Sequence, residues 1–397
     1  MTEFSIYESI LGFPDLEITF IDRSIVGVLH IHCTLKSDIE HCPSCGERTG
    51  IIHQYETRKV QDLKISDHEV WLHIRVAQFH CPSCGRYFYP TPDWLLKGKS
   101  YTKRQSKWIF TLCEQQPFSR VSCLVNLSPK TVERIYYTYA NSVLDLASRY
   151  AQVRYLGIDE LSHKKGKNNY VCVLVDLERG THLDILPNRN KDTLIAHFKS
   201  LGSDFCNQIE VVCCDMWRPY STVAKECFVN AQVVVDRFHI VKELNTVLDR
   251  IRKKLRKDYK DETAFKAIKW QLFKRPENTS NQEKEALQKA FEKSWLLEEV
   301  YQLRNTFNAI FDHSKTKEAL EEELNQWINF SEKLDCKYLN NFIKTLSNWK
   351  NQIAQYASHK ITNAATEGLN NTIRYIKRIS YGLPNFNNMR IRVLVRS

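Results

Sequence analysis

The chain has 397 residues, enough for several domains, and its composition (43% hydrophobic, 26% charged) is typical of a soluble globular protein. Its net charge of +11 and the absence of any apolar stretch as long as a membrane helix favour a nucleic-acid partner over a membrane. Thirteen cysteines without a secretory signal indicate a reducing compartment, so we expect a cytoplasmic protein.

Residues 1–95 predict a small, mainly β zinc-binding domain. Alternating apolar and polar residues at 17–35 and 68–81 are typical of strands. The pentapeptide Cys-Pro-Ser-Cys-Gly occurs twice, and it supplies four cysteines: Cys42, Cys45, Cys81 and Cys84. Four thiolates in two such pairs make a closed tetrahedral site for Zn²⁺, so we predict a structural zinc ribbon. A thioredoxin-like redox pair is the alternative, and two identical pairs argue against it.

Residues 96–150 predict a helix-turn-helix DNA-binding domain. Three short amphipathic segments follow one another, and a Ser-Pro pair suits the start of the last helix. On that helix Lys130, Arg134 and Tyr137 form one stripe, which we expect to be exposed and to enter the major groove of DNA. Residues 97–149 carry nine basic and three acidic residues, which favours this interpretation over an ordinary helical hairpin.

From 151 to 240 the pattern changes to alternating strands and helices. Three consecutive strands are followed by helix, strand, helix and strand, the element order of an RNase H-like sheet. In that topology the first and fourth strands are neighbours, so Asp159 and Asp215, which end them, are expected to converge. Asp236, after the fifth strand, is the competing candidate for the second position. Otherwise Asp236 and His239 are expected to support the site or to contact DNA.

Residues 241–357 predict a block of helical hairpins. Glycine is absent from 203 to 367, and only two prolines occur there, so turns are few and helices are long. The tryptophans of this block are expected to be core anchors between helices: Trp270, Trp295, Trp327 and Trp349.

The last part of the chain, 358–397, has Glu367 near the start of a predicted helix. Carboxylates from Asp159, Asp215 and Glu367 make an oxygen-only site that suits Mg²⁺ or Mn²⁺. Two such ions about 4 Å apart can activate water or a 3′-hydroxyl for in-line phosphoryl transfer. Cations that follow the glutamate are expected to bind DNA: Arg374, Lys377 and Arg378. Two aspartates of the strands are expected to face solvent: Asp176 and Asp184.

Together these motifs resemble bacterial insertion-sequence transposases of the DDE type, in the branch with an N-terminal four-cysteine zinc finger. The resemblance covers most of the chain in matching order. It is carried by both CPSCG motifs, LGIDELSHKKG at 156–166, DMWRPY at 215–220, VVDRFHIVKELN at 234–245 and NAATEGLNNTIRYIKRISYGLPNFNNMRIRVL at 363–394. Many members have Ser-Asn ahead of the glutamate motif, where this chain has Thr362-Asn363.

The resemblance implies an α/β multidomain protein whose RNase H-like core is interrupted by a helical insertion, 241–357. It implies a catalytic triad of Asp159, Asp215 and Glu367, and N-terminal domains that bind terminal inverted repeats. Such proteins cut double-stranded DNA at element ends and join the 3′-hydroxyl to target DNA, generally as at least a dimer. Two alternatives stay open: a zinc-finger regulator with a silent core, and a structure-selective nuclease of the RNase H-like class.

Overall fold

The computed structural model describes residues 4–163, 169–259, 262–361 and 364–396. Thr362 and Asn363, ahead of the glutamate motif, and residues 164–166 of the first aspartate motif lie outside the described residues. Within the described part of the chain, no helix combines the length and the apolar character needed to cross a membrane.

The chain divides into two compact units, Met1–Leu144 with Ile379–Gly382 and Asp145–Arg378 with Leu383–Ser397. The first unit opens with a five-stranded sheet and a small two-stranded ribbon. The elements are α1 (Ser5–Leu11), β1 (Leu16–Asp22), β2 (Val28–Leu35), β3 (Glu40–His41), β4 (Arg48–Thr49), β5 (Ile52–Ile65), β6 (His68–His80) and β7 (Tyr87–Phe88).

The strand order of this sheet is β1-β2-β6-β5, with β7 paired to β6, while β3 and β4 pair with each other. Every second residue is buried from Leu29 to Cys33 in β2 and from Val70 to Val76 in β6, as in the fully buried pair Ile31 and Leu72. In strands with this alternation, one face packs on the core and the other face is directed towards solvent. The mainly β character predicted for the N-terminal residues is confirmed.

Three helices follow in the first unit: α2 (Lys103–Cys113), α3 (Phe118–Val125) and α4 (Pro129–Val143). After α3 the chain turns at Asn126, which adopts a left-handed conformation with φ of 52°. The side chain of Ser128 then accepts a hydrogen bond from the Thr131 amide, and Pro129 occupies the first turn of α4. This cap satisfies an amide that a helix start leaves without a partner, and it confirms the predicted helix start.

The second unit is built on a mixed sheet. Its first elements are α5 (Leu146–Tyr150), β8 (Tyr155–Ser162), β9 (Tyr170–Asp176), β10 (Thr181–Leu186), α6 (Lys191–Ser200), α7 (Ser203–Gln208), β11 (Val211–Cys214), α8 (Arg218–Cys227) and β12 (Gln232–Val235). The strand order is β10-β9-β8-β11-β12; the first three strands are antiparallel, and β11 is parallel to both β8 and β12. The predicted order of strands is confirmed, with α7 as an additional helix.

The register of β8 and β11 determines where two aspartates lie. Their pairing stops at Ile158 and Cys214, so Asp159 and Asp215 are the next residues on two adjacent strands. The prediction that Asp159 ends its strand is wrong, because β8 continues to pair with β9 as far as Ser162.

A block of helices follows the sheet: α9 (Arg237–Asp258), α10 (Glu262–Ala267), α11 (Asn281–Phe291), α12 (Trp295–His313), α13 (Lys317–Glu332) and α14 (Lys337–His359). Two 3₁₀ turns, Gln271–Phe273 and Pro276–Asn278, separate α10 from α11. Trp327 and Trp349 are buried in its core, as predicted. Trp270 and Trp295 are each 66% exposed, so that part of the prediction is wrong. Both lie at the ends of elements, where the apolar face of a helix does not continue.

Two helices, α15 (Ala364–Ile379) and α16 (Phe386–Leu394), end the chain. Apolar side chains of both pack with those of β9 and β10 in one cluster, which includes Ile373, Met389 and Val393. The second unit thus carries helices against its sheet, and α15 brings Asn370 to Asp159 within β8.

The prediction that Asp176 and Asp184 face solvent is wrong, because both are almost fully buried. Asp176 accepts hydrogen bonds from backbone amides in the β9–β10 turn. Asp184 pairs with Arg390 of α16, whose Nε and Nη2 lie 2.5 and 2.8 Å from its two oxygens. A buried carboxylate needs such partners, and those of Asp184 come from a helix some 200 residues away.

Candidate functional site

Four cysteine thiols lie together in the first unit. Each CPSCG segment forms a turn between two strands, and Gly46 and Gly85 adopt φ values of 76° and 71°, which favour glycine. The Sγ atom of Cys45 lies 3.5 Å from that of Cys81 and 3.6 Å from that of Cys84. The Sγ atoms of Cys42 and Cys84 are 3.6 Å apart. A tetrahedral zinc site with bonds of about 2.3 Å spaces its sulfurs about 3.8 Å apart, so these thiols fit Zn²⁺.

The electrostatics of this cluster favour a thiolate at one of its cysteines, Cys42. The backbone amides of Glu47 and Arg86 lower the pKa of Cys45 and of Cys84, but contacts with the neighbouring thiols raise it overall. Although burial opposes it, hydrogen bonds from the backbone amides of Cys45 and Ser44 lower the pKa of Cys42 to about 6. Zinc binds the deprotonated thiol, so backbone donors at this turn prepare the site for the ion.

The predicted DNA-reading helix is α4. Lys130 and Arg134 are exposed on it. Tyr137 is not part of an exposed stripe: its ring packs edge-on against Phe118 and Tyr136 at centroid distances of 6.0 and 5.1 Å. The two cations are therefore the exposed members of the predicted set.

A cavity of about 340 Å³ lies in the second unit where β8, β11, α9 and α15 approach one another. It is lined by Asp159, Glu160, Asp215, Asp236, Phe238, His239, Lys242, Glu367, Asn370 and Arg374. We call it the carboxylate cavity. It contains the three predicted triad carboxylates, both predicted supporting residues and one of the three predicted cations near Glu367.

Asp159 is held by two hydrogen bonds. Its Oδ1 accepts from the Glu160 amide at 2.8 Å, and its Oδ2 accepts from Nδ2 of Asn370 at 2.7 Å. Burial raises the pKa of Asp159, and the nearby Asp215 charge adds to this effect, while both hydrogen bonds oppose it. The other amide atom, Oδ1 of Asn370, is buried and has no hydrogen-bond partner among the described residues.

Asp215 and Asp236 lie on either side of His239. Nε2 of His239 is 3.9 Å from Asp215, and its Nδ1 is 3.2 Å from Asp236. Burial alone lowers the pKa of His239, but the hydrogen bond with Asp236 and the charges of the aspartates raise it overall. Asp236 is 1% exposed and also accepts from the Phe238 amide at the start of α9. Both oxygens of Asp236 thus have partners inside the protein, whereas Asp215, whose Oδ1 accepts from the Met216 amide at 2.6 Å, is 34% exposed.

The charged residues of α15 differ in their exposure and in their hydrogen-bond partners. Glu367 is exposed in the first turn, and Arg374 is exposed with Nη1 donating to Asn371 at 2.6 Å. Arg378 is also exposed. Nζ of Lys377 instead donates to the backbone carbonyl of His163 at 2.6 Å, and burial lowers its pKa.

The donor set of the cavity is suited to a hard cation. Carboxylate and amide oxygens are the ligands that Mg²⁺ and Mn²⁺ prefer, and an unpartnered amide oxygen lines the same space. Among the described residues, only the four cysteines form a group of three or more Cys, His, Asp or Glu whose ligand atoms all lie within 4.8 Å. The three carboxylates therefore line the cavity, but their oxygen atoms do not all lie within 4.8 Å of one another.

Comparison with known proteins accounts for nearly the whole chain. Residues 156–393 match a family model described as "Transposase", that of the ISL3 group. The chain belongs to the ISL3 family of transposases. In this transposase, residues 39–84 match the zinc-finger of transposase IS204/IS1001/IS1096/IS1165, and residues 90–140 match the helix-turn-helix domain of transposase family ISL3. The family resemblance, the zinc ribbon and the helix-turn-helix inferred from sequence are confirmed.

Two relatives are similar over most of their length. The transposase for insertion sequence element IS1001 of Bordetella parapertussis is 27% identical over 362 residues, which cover 89% of this chain and 88% of the relative. The transposase for insertion sequence element IS1557 of Mycobacterium tuberculosis is 22% identical over 373 residues, which cover 87% and 82%.

Sequence reasoning missed several residues that line the carboxylate cavity of this transposase. Asn370 lies three residues after Glu367 on the same face of α15, a spacing that was available from the sequence. Glu160 forms an ion pair with Arg189. The guanidinium of Arg189 lies 4.6 Å from the ring centroid of Trp217, in the DMWRPY motif. These contacts join segments that are distant in the sequence, so no pattern of neighbouring residues predicts them.

Proposed function

We propose that this transposase cuts DNA at the ends of its element and joins the freed 3′-hydroxyl to target DNA, using Asp159, Asp215 and Glu367. The register of β8 and β11 carries the proposal. It places an aspartate on each strand directly after the last residue that β8 and β11 pair with each other, at the cavity that Glu367 also lines. Three carboxylates around one cavity are the donor set that two-metal phosphoryl transfer requires.

The three carboxylates would hold Mg²⁺ or Mn²⁺. When bound, such ions activate the attacking oxygen and stabilise the leaving oxygen of an in-line displacement at phosphorus. The chain's own residues act around them. Asn370 orients Asp159, His239 lies between Asp215 and the buried Asp236, and the cations Lys242 and Arg374 attract the DNA phosphates.

We further propose that the sheet is an RNase H-like core into which α9–α14 are inserted. The order β10-β9-β8-β11-β12 and the position of the helical block between β12 and α15 support this. The proposed domains are the zinc ribbon at 1–95, the helix-turn-helix at 96–150, the first part of the core at 151–240, the insertion at 241–357 and the last part at 358–397.

DNA recognition is proposed for two sets of exposed cations. Lys130 and Arg134 of α4 contact the terminal inverted repeats in the major groove. Arg374 and Arg378 of α15 bind phosphates beside the cavity. Lys377 belonged to this set in the sequence prediction, but we assign it to the end of β8, because its ammonium group already donates to backbone carbonyls there. We propose that at least a dimer holds two element ends together.

Replacing Asp159 by Asn tests the proposal. The substitution keeps the shape and the side-chain size but removes the charge, so cleavage at the element end should fall at least roughly a thousandfold. Binding to the same end should be unchanged. Asp204→Asn, at an exposed position of α7, is the matched control and should cut normally. Wild-type cleavage by Asp159→Asn would contradict the proposal.

A further inference from the structure

Helix α9 has a buried face and a cationic face side by side. The buried face lies in the core of the helical block: Ile240, Leu244, Val247, Leu248 and Ile251. Successive residues of an α-helix are about 100° apart, so five cations fall within an arc of about 120° that adjoins the buried face. All five are exposed: Lys242, Arg250, Lys253, Lys254 and Lys257. We call them the cationic face of α9.

The cationic face begins in the carboxylate cavity. Phe238, His239 and Lys242 are the residues of α9 that line this cavity. One turn further along, Glu243, Thr246 and Arg250 line a second groove of about 290 Å³. Its opposite wall is α14, which contributes the polar side chains of Tyr338, Asn341 and Thr345. The cavity and the groove therefore follow one another along a single helix.

The charge of this face remains positive after its acidic neighbours are considered. Glu243 lies on the face itself. Asp249 lies beside it and pairs with Lys253 at 2.8 Å and with the buried Arg252 at 2.6 Å. The charge of Arg252 compensates that of Asp249 within the protein. Asp258, at the last position of α9, is a second exposed carboxylate. Five exposed cations thus stand against two exposed carboxylates, Glu243 and Asp258.

The dimensions fit a nucleic-acid backbone. From Lys242 to Lys257 the helix rises about 22 Å, at about 1.5 Å per residue. Phosphates of one DNA strand rise about 3.4 Å each along the axis, so the face is as long as about six base pairs of duplex, which is over half a helical turn. The straight helix therefore meets only those phosphates of this stretch that face it. The hydroxyl and amide groups in the groove are donors that phosphate oxygens accept. A row of cations beside such donors contacts the phosphates of DNA and does not distinguish one base sequence from another.

We propose that the cationic face of α9 binds, without sequence preference, the backbone of the double-stranded DNA that extends from the carboxylate cavity. The proposal rests on the proposed function, because it takes this cavity as the place where DNA is cut. It adds a DNA contact surface in the helical block to those on α4 and α15.

The test compares two triple variants of the full chain. Lys253→Gln, Lys254→Gln and Lys257→Gln together remove charge from the face. Lys284→Gln, Lys289→Gln and Lys315→Gln remove the same charge from exposed positions elsewhere in the helical block. Affinity for a mixed-sequence duplex of roughly 40 base pairs is measured by fluorescence anisotropy over a range of salt concentrations. Glu367→Gln is present in every protein, so cutting does not interfere.

Loss of three phosphate contacts should lower the slope of log affinity against log salt by about 2.7, and weaken binding at least roughly tenfold near 0.1 M salt. The control triple variant should keep the slope of the parent protein. Replacing the same three lysines of α9 by Arg should restore it, which separates charge from folding. Equal slopes for the two Gln variants would overturn the proposal. So would an unchanged slope with a change in sedimenting mass, which would assign the face to a second copy of the chain.

A footprint places the contact on the DNA. At a mapped element end, hydroxyl radicals should reveal protected sugar positions within about six base pairs beside the cut, on the side of the duplex that faces α9, and the α9 variant should leave them exposed. Identical footprints would overturn the proposal. A protein that never cuts would contradict the proposed function, yet the salt slopes would still decide whether α9 binds DNA.

Discussion

Asn370 holds Asp159 from the opposite element of the carboxylate cavity: its Nδ2 donates to Oδ2 of Asp159 at 2.7 Å, across 211 positions of sequence. The same side chain is 4% exposed, and its Oδ1 has no partner among the described residues. If the amide of Asn370 were flipped, its oxygen would face the carboxylate oxygen of Asp159 and no hydrogen bond could form. The hydrogen bond therefore determines which way the amide is oriented. Asn370 therefore orients one carboxylate while offering an oxygen atom to the cavity.

We expect Asn370→Ala to weaken binding of divalent cations. Residues that orient a metal ligand typically contribute about 10–100-fold to metal affinity, so the dissociation constant for Mn²⁺ should rise by about tenfold. Paramagnetic resonance of free Mn²⁺ measures this without any cutting. The neighbouring Asn371→Ala is the control and should bind Mn²⁺ normally. Unchanged Mn²⁺ affinity in Asn370→Ala would mean that Asp159 needs no partner in α15.

Cys81→Ser should remove zinc from the first unit. Cys81 is fully buried, and its thiol lies 3.5 Å from that of Cys45. Because the position of its sulfur is enclosed by protein, a side chain from the surface cannot take its place as a ligand. We expect bound zinc to fall from about one ion per chain to near zero, and specific binding to element ends to weaken with it. Elemental analysis and end binding give the two readouts. The exposed Cys123→Ser should lose neither, and a Cys81→Ser protein with its full zinc content would refute the assignment.

Arg134→Ala and Lys130→Ala should weaken DNA binding in different ways. If Arg134 reads a base edge from α4, its loss costs about 1–3 kcal/mol on the element end and little on mixed-sequence DNA. If Lys130 contacts a phosphate, its loss lowers the salt slope on both DNAs by about 0.9. Binding isotherms on the two duplexes distinguish these roles. Lys107→Ala, exposed on α2, should match wild type; equal effects of all three substitutions would argue against α4 as the reading helix.

The start of α9 is held by an ion pair whose contribution depends on pH. Asp312 accepts from Arg237 at 2.8 Å and from Arg275 at 2.9 Å. Burial alone raises the pKa of Asp312, but these two guanidinium groups lower it overall. Because the folded protein favours the ionised form, the stabilisation is present above the unfolded pKa and is lost as pH falls through the folded value.

Asp312→Asn should therefore lower the free energy of unfolding by about 1 kcal/mol at neutral pH, a value reduced for the partial exposure of the pair. The difference from wild type should shrink as pH falls below about 4, where Asp312 of the unfolded chain becomes protonated while the folded protein still holds it ionised. Urea unfolding over a pH series measures it. A difference that stays constant down to pH 2 would show that charge is not the cause.

Local pattern was sufficient for much of the fold. The strands of the first unit, the turn at Ser128 and the alternation of strands and helices around β8–β12 follow from periodicity, capping and turn residues, which act over a few positions. The zinc cysteines were found for the same reason, since each pair is local. The convergence of Asp159 and Asp215 followed from strand order, a rule that needs only the sequence of elements.

Errors arose where a partner is distant in the chain. Asp184 looked like a solvent-facing strand residue, but Arg390 of α16 makes its burial possible. Tyr137 fits a helix stripe, yet Phe118 of α3 covers it. Trp270 looks like a core residue by its chemistry alone, but it lies outside any buried helix face. The Asn370–Asp159 bond is of the same kind, because periodicity does not show which helix will lie beside which strand.

The central claim is that Asp159, Asp215 and Glu367 cut DNA at the ends of an element. The most direct test uses a supercoiled plasmid that carries the gene with its native flanking DNA. Purified protein is added with Mg²⁺, and strand breaks are mapped to the nucleotide for wild type and for Glu367→Gln. The account predicts breaks at a pair of inverted repeats with wild type and none with Glu367→Gln, although both proteins bind the repeats. Breaks that persist in Glu367→Gln, or that fall away from the repeats, would contradict it.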